Sequence, residues 1–218
     1  MGTSRVLVVT AVELERKAVL RGLGQENGRV KVIAAGVGPV TSAVQTTLEL
    51  VKNQKPYDLV IIAGVAGGFV GRADVGHIVV ASQIRSGDLG AESLKGFISI
   101  DELGFGSGAV EVDEKMTKRI YQTLIQAGAP VSIGPILTMN TTTGTKETAK
   151  RLIANYPEAR AEAMEGFGIA TAAQKMNIPV CEIRTISNLV GPRDRDAWKL
   201  EDALLRLEEA FAKCKEVL

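Results

Sequence analysis

Short runs of apolar, β-branched residues alternate along the chain with stretches whose apolar positions repeat at helical spacing. Residues 6–9 read as a buried strand, and a helical pattern follows over 13–23. A second strand covers 30–35 and runs into Gly36-Val37-Gly38. Pro39 suits the first turn of the next helix, where its missing N–H has no partner to lose. That helix carries Val40, Ala43, Val44, Thr47, Leu48 and Val51 along one side. A third strand spans 59–63 and meets Gly64-Val65-Ala66-Gly67-Gly68, and a fourth spans 78–84. Residues 85–108 are rich in Gly, Ser and charge, and read as an excursion over the surface.

Asp113 is placed to cap a helix that runs to Gln126 and closes at Gly128. A strand over 131–137, a polar run over 138–145 and helices over 146–155 and from 166 to about 176 follow. A late strand covers 180–186. Asp196 is placed to cap a long final helix containing Trp198, with Leu200, Leu204, Leu207 and Phe211 on its buried side. This alternation predicts an α/β fold: one three-layer domain over 1–218, with a central, mixed but mainly parallel twisted sheet flanked by helices. Ligands of such sheets bind beyond the carboxyl ends of the strands. The residues of interest are therefore those that follow each strand.

Composition narrows the classes of function. The 218 residues hold 26 basic and 25 acidic side chains. That balance argues against a nucleic-acid partner held by bulk charge. The two cysteines form no CxxC pair, there is a single histidine, and a zinc site is not expected. No apolar stretch is long enough to span a bilayer and no signal-peptide pattern opens the chain, so the expected compartment is the cytoplasm, with no membrane partner.

Several residues could carry chemistry. The glycines at 36–38 and 64–68 allow close backbone approach to a ligand, and serve equally as tight turns at strand ends. Neither cluster is a GxGxxG or Walker A loop. Glu13 and Glu15 fall just after the first strand, where a first-turn carboxylate also suits the helix dipole. Glu165 opens a small, apolar helix, and a carboxylate there suits a pair of vicinal hydroxyls or the helix N-terminus alone. Asn188, after the late strand, presents a donor and an acceptor that suit a purine edge, or forms a turn. His77 lacks a nucleophile motif around it and reads as structural or solvated. Trp198 reads as a packing residue. Glu162 is noted only as a boundary carboxylate.

Taken together and in order, several segments resemble the nucleoside phosphorylase/nucleosidase family. They are residues 10–15 (TAVELE), 36–38 (GVG), 63–68 (AGVAGG), 75–80 (VGHIVV), 163–166 (AMEG) and 184–188 (RTISN). The nearest branch is the methylthioadenosine/S-adenosylhomocysteine nucleosidase type. Residues 10–16 and 182–194 carry a closer match to hydrolases of a 6-oxopurine nucleoside.

The resemblance implies hydrolysis of an N-glycosidic bond without a cofactor or metal, by a homo-oligomer acting on a small nucleoside. It implies that Glu15 activates water, that Met164 and Glu165 hold the ribose, and that Ser187 and Asn188 face the purine. Gly67 and Thr142 are further expected substrate contacts. Adenine-cleaving relatives carry aspartic acid at the position of Asn188. Asn188 gives up no proton, which points to a 6-oxopurine, to protonation by water or another donor, and to Asn188 stabilising the departing base. Residues 61–65 are apolar where phosphorylases bind phosphate, and Glu13 and Glu15 would repel a phosphate dianion. Arg193 or Arg195 could pair with a carboxylate on the 5′ extension, or belong to a solvated loop before the last helix.

Overall fold

A computed structural model describes residues 5–24, 28–53, 55–194 and 196–218. The first half of the chain builds β1 (Val6–Thr10), α1 (Glu13–Leu23), β2 (Val30–Ala34), α2 (Pro39–Lys52), β3 (Leu59–Gly68) and β4 (Ile78–Ser86). The surface excursion holds a hairpin of β5 (Gly90–Ser93) and β6 (Gly96–Ser99), followed by β7 (Ala109–Glu111). The second half builds α3 (Glu114–Gln126), β8 (Val131–Thr138), α4 (Lys146–Asn155), β9 (Ala161–Ala163), α5 (Gly166–Lys175), β10 (Val180–Leu189) and α6 (Leu200–Cys214).

Local chemistry sets most of these boundaries. Pro39 begins α2. Asp113 accepts a 2.7 Å hydrogen bond from the Met116 N–H at the start of α3, and Gly128 beyond its end adopts φ 73°. Thr145 caps α4 in the same manner through the Thr148 N–H. The final helix departs from expectation. It starts at Leu200 and has no side-chain cap, so Asp196 and Trp198 lie in the loop before it.

The main sheet runs β10-β4-β8-β9-β3-β1-β2, with β7 on the side of β4. It is α/β and mixed, but it is not the flat middle layer of a simple sandwich, because β3 also pairs with β10. Strands β3, β10, β4, β8 and β9 therefore form a closed ring, from which β1 and β2 extend. Closure depends on β9, a three-residue strand (Ala-Glu-Ala) too short to leave a periodic signal. Helices α1, α3 and α6 pack on one apolar face through Val19, Leu124, Leu207 and Phe211. Helix α5 covers the other face with Ile169, Ala170 and Ala173.

β3 changes partners along one edge. Its first residues pair with β1, up to Ile62 opposite Val9, while Gly67 and Gly68 pair with β9. Between these two ladders the edge carries no strand. The expected stripe on α2 does not face the core either. Ser42, Thr46 and Leu50 are buried there, whereas Val40, Val44, Leu48 and Val51 are between 44% and 74% exposed.

Candidate active site

The interrupted edge of β3 is where the carboxylates gather. Glu15 lies in the first turn of α1 and folds back over the end of β1. Its Oε2 accepts from the Ala11 and Val12 N–H groups at 2.9 and 3.1 Å. Its Oε1 accepts from the Val65 N–H at 2.9 Å, a donor that β1 and β9 leave unclaimed. Gly64 makes this possible, because a Cβ there would stand 2.5 Å from Glu15 Oε1. Burial pushes the Glu15 carboxyl above its ordinary value, against the pull of Arg184 and the bonds from Val65 and Val12, while Glu165 adds to the rise.

Opposite Glu15 stands a buried charge cluster. Arg184 and Glu182 alternate in β10, so both point to one face of the strand. Arg184 donates through Nε to Glu182 at 2.8 Å, through Nη2 to Glu165 at 3.3 Å, and through Nη1 to the Val65 carbonyl at 3.3 Å. Burial alone would lower the Arg184 pKa, but Glu182, Glu165 and Glu15 together raise it and fix the positive charge. Burial raises the Glu182 carboxyl despite Arg184, and its Oε2 is buried without a hydrogen bond. Glu165 accepts a further bond from the Gly38 N–H at 3.2 Å. The positive φ of Gly38, 89°, turns that N–H toward the site.

A third group comes from the far end of β10. A bulge between Ile186 and Asn188 interrupts its register with β3. Bulges re-aim side chains next to functional sites. Ser187 Oγ donates to Asn188 Oδ1 at 2.8 Å, which orients the amide. Asn188 Nδ2 then lies over Gly67, only 3.2 Å from where a Cβ would be.

These groups enclose a cavity of about 210 Å³. Glu15, Glu165, Ser187 and Asn188 line it, together with Gly67, Met164 and Thr142, whose hydroxyl is 3.5 Å from the Met164 sulfur. The structure thus brings together all the expected residues except Arg193, which is absent from the lining. Arg193 is exposed and lies over the ring of Trp198, 5.7 Å from its centroid, and it is Trp198 that lines the cavity. Arg195 lies outside the described residues. The glycines at 64–68 are inside β3, not in a turn after it.

Glu162 and Val37 also line the cavity and were not expected there. A larger cavity, about 500 Å³, lies between the β5–β6 hairpin and the end of α4. Its Arg85 is already paired with Asp101 at 3.2 Å, and none of the clustered carboxylates reaches it.

A buried carboxylate fixed by three backbone donors, facing an Arg-bound carboxylate and an oriented amide, suits attack on a polar ring ligand. The family follows from the chain as a whole: the model of the phosphorylase superfamily matches residues 13–218. The chain belongs to the phosphorylase superfamily. Within the superfamily it is 42% identical to the futalosine hydrolase of Streptomyces coelicolor, over 98% of this chain and 96% of the relative. Its fold matches the native structure of futalosine hydrolase of Helicobacter pylori strain 26695 with a TM-score of 0.84 at 20% identity, covering 99% of each chain. It also matches 5′-methylthioadenosine/S-adenosylhomocysteine nucleosidase from Helicobacter pylori, solved with butyl-thio-DADMe-Immucillin-A. That TM-score is 0.85 at 19% identity, covering all of both chains. No helix among the described residues is long and apolar enough to cross a membrane.

Proposed function

We propose that this chain hydrolyses the N-glycosidic bond of futalosine, releasing hypoxanthine and dehypoxanthine futalosine in the cytoplasmic, alternative route to menaquinone. The observation that carries this reading is Glu15, held in the gap of the β3 edge with Glu165 on one side and Asn188 on the other. The 42% identity to a futalosine hydrolase over nearly the whole chain supports the substrate.

In the proposed reaction Glu165, steadied by Arg184 and Gly38, accepts the ribose hydroxyls, with Met164 against the sugar. Thr142 and Gly67 complete the substrate contacts. The C1′–N9 bond breaks and its electron pair leaves with the base, so positive charge develops on the sugar. Glu15 stabilises that charge and takes a proton from the water that attacks C1′. A carboxyl with a raised pKa is a better proton acceptor than an ordinary one, provided it is ionised at the working pH. Asn188 donates to the departing base, which is protonated from water. Trp198, with Arg193 stacked over it, stands where the 5′ extension leaves the cavity, and the Arg193 guanidinium pairs with the carboxylate of that extension.

Water is favoured over phosphate as the nucleophile. Among the described residues lining the cavity there is no arginine or lysine, and the nearest buried cation, Arg184, is occupied by Glu182 and Glu165. The test is base release in phosphate-free buffer, with futalosine, inosine and methylthioadenosine in parallel. Hypoxanthine from futalosine, with little base from the other two, is the expected result. Release only after phosphate is added would make the chain a phosphorylase, and release of adenine from methylthioadenosine alone would make it an adenine nucleosidase.

A second copy of the chain is proposed to cover the exposed stripe of α2. Val12 and Val37 are likewise exposed and line the cavity, so a partner that covers the stripe and reaches them would wall the substrate pocket. Sedimentation of a Val40→Lys/Val44→Lys variant is expected to give monomers with a raised KM for futalosine. A wild-type chain that sediments as a monomer would sink this arrangement.

A further inference from the structure

Glu162 is the one buried carboxylate of the cavity to which the reaction above gives no task. It lies in β9, is 5% exposed, and lines the same cavity as Asn188. Its position follows from strand register. Glu162 is opposite Gly67 in the antiparallel β3–β9 pair, and Gly67 is opposite Asn188 in the parallel β3–β10 pair. Side chains at paired positions of neighbouring strands project from the same face. Glu162 and Asn188 therefore flank Gly67 from two sides, with backbones separated by two strand spacings, roughly 10 Å. Gly67 contributes no side chain between them, leaving a slot floored by backbone and walled by one carboxylate and one amide.

The hydrogen bonds of Glu162 fix which partner it takes. Oε1 accepts from the Thr143 N–H at 2.7 Å, and Oε2 bonds the Thr143 hydroxyl. The carboxylate thus takes both donors of Thr143, and each of its oxygens keeps capacity for a second donor, which Glu162 can accept from the cavity it lines. A planar base held by Asn188 along its N7 and 6-oxo side presents to Glu162 the neighbouring edge, on which N1 lies next to the 6-oxo group. A 6-oxopurine carries a hydrogen on N1, whereas adenine carries a bare lone pair there.

We infer that Glu162 reads the N1–H of the 6-oxopurine base and so excludes adenine, acting with Asn188 across the Gly67 floor. This rests on the hydrolase reading above, and it adds the second half of base recognition. Adenine would set its N1 lone pair against a buried carboxylate, and Glu162 would then have only its Thr143 donors and none from N1. A site built to bond one substrate hydrogen rejects an analogue lacking it more strongly than a hydrophobic pocket rejects a missing methylene.

The test has two arms. In the first, calorimetry measures binding of hypoxanthine, 1-methylhypoxanthine and adenine to the wild-type chain. Hypoxanthine is expected to bind on the order of 100-fold more tightly than either of the others. In the second, hydrolysis of futalosine and of its 6-amino counterpart is compared for wild type and Glu162→Gln. The amide can turn its NH₂ toward the slot, so the preference for the 6-oxo substrate is expected to narrow by at least about tenfold. A wild type that releases no hypoxanthine from futalosine would overturn the proposed function. Turnover of futalosine with an undiminished preference in Glu162→Gln would overturn only the role of Glu162. So would equal wild-type affinity for hypoxanthine and 1-methylhypoxanthine, a result that needs no variant to fold.

Discussion

Replacing Arg184 with Met tests the charge cluster most directly. Arg184 is fully buried and is the cation shared by Glu182 at 2.8 Å, Glu165 at 3.3 Å and, at longer range, Glu15. Removing one member of a buried ionic group costs about 3–5 kcal/mol, because the charges left behind have neither water nor a partner. Set against a typical total of about 5–15 kcal/mol, that is a large share of the stability of the fold.

The cost should depend on pH in a definite direction. Without Arg184 the folded-state pKa values of Glu182 and Glu15, already raised by burial, rise further above their unfolded values. A carboxyl raised in the folded state is harmless while protonated in both states and costs stability as pH climbs through its folded value. The deficit of Arg184→Met relative to wild type should therefore be full at pH 8 and shrink toward pH 5. Urea unfolding at the two pH values measures it. Adding Glu182→Leu, which removes the carboxylate whose Oε2 already lacks a bond, should recover at least about 1 kcal/mol, since replacing a whole buried ion pair costs less than breaking it. A deficit under about 1 kcal/mol at pH 8, or one that does not change with pH, would refute the picture of a cluster held together by one cation.

Three further expectations concern the reaction. Glu15→Gln removes the base and is expected to lower kcat by on the order of 10²–10⁴-fold, read by hypoxanthine release; retention of more than about a tenth of the rate would exclude Glu15 as the base. Because burial raises the Glu15 carboxyl, the acid limb of kcat/KM for the wild type should fall above the ordinary carboxylate range, with activity lost as pH drops through it. A rate profile flat down to pH 4.5 would contradict that. Asn188→Asp, whose Oδ1 would still accept from Ser187, is expected to cut hypoxanthine release at least about tenfold and to bring adenine release from methylthioadenosine into the measurable range. Chromatography of the released bases decides it.

Much of this was legible in the residues. Glu13 and Leu23 bound α1 as the periodicity required, Pro39 opened α2, and Asp113 capped α3. Glu15, Ser187 and Asn188 stood out because they were read as following strands, which is where an α/β sheet puts its ligands, and Glu165 because it opens a small, apolar helix. What escaped had physical reasons. β9 is Ala-Glu-Ala, with neither apolar run nor β-branched residue, and its pairing is dictated by β3 and β8 at a distance along the chain. Glu162 was thus invisible as a pocket residue. The stripe on α2 was legible as a stripe, but amphipathicity says which side is apolar and not what covers it. Trp198 was drawn into the last helix by a cap that Asp196 does not form. One signal was available and unused. Glu182 and Arg184, two charges at i and i+2 in an otherwise apolar strand, have to share a face, and buried charges need each other.

The break in the edge of β3 divides labour between neighbouring segments. In the proposed reaction, the residues that act on the sugar and water reach the gap from α1, from the turn before α2 and from the start of α5. Those proposed to meet the base stand on β9, beyond the gap, and on β10, along the unbroken edge. Changes of diet can therefore arise by altering two strand positions on either side of a glycine, while the hydrolytic apparatus is inherited untouched. The same arrangement forbids an apparently harmless improvement. Extending β1 to zip the open edge shut would add backbone pairing, take the Val65 N–H from Glu15, and leave a more regular sheet that no longer turns over its substrate.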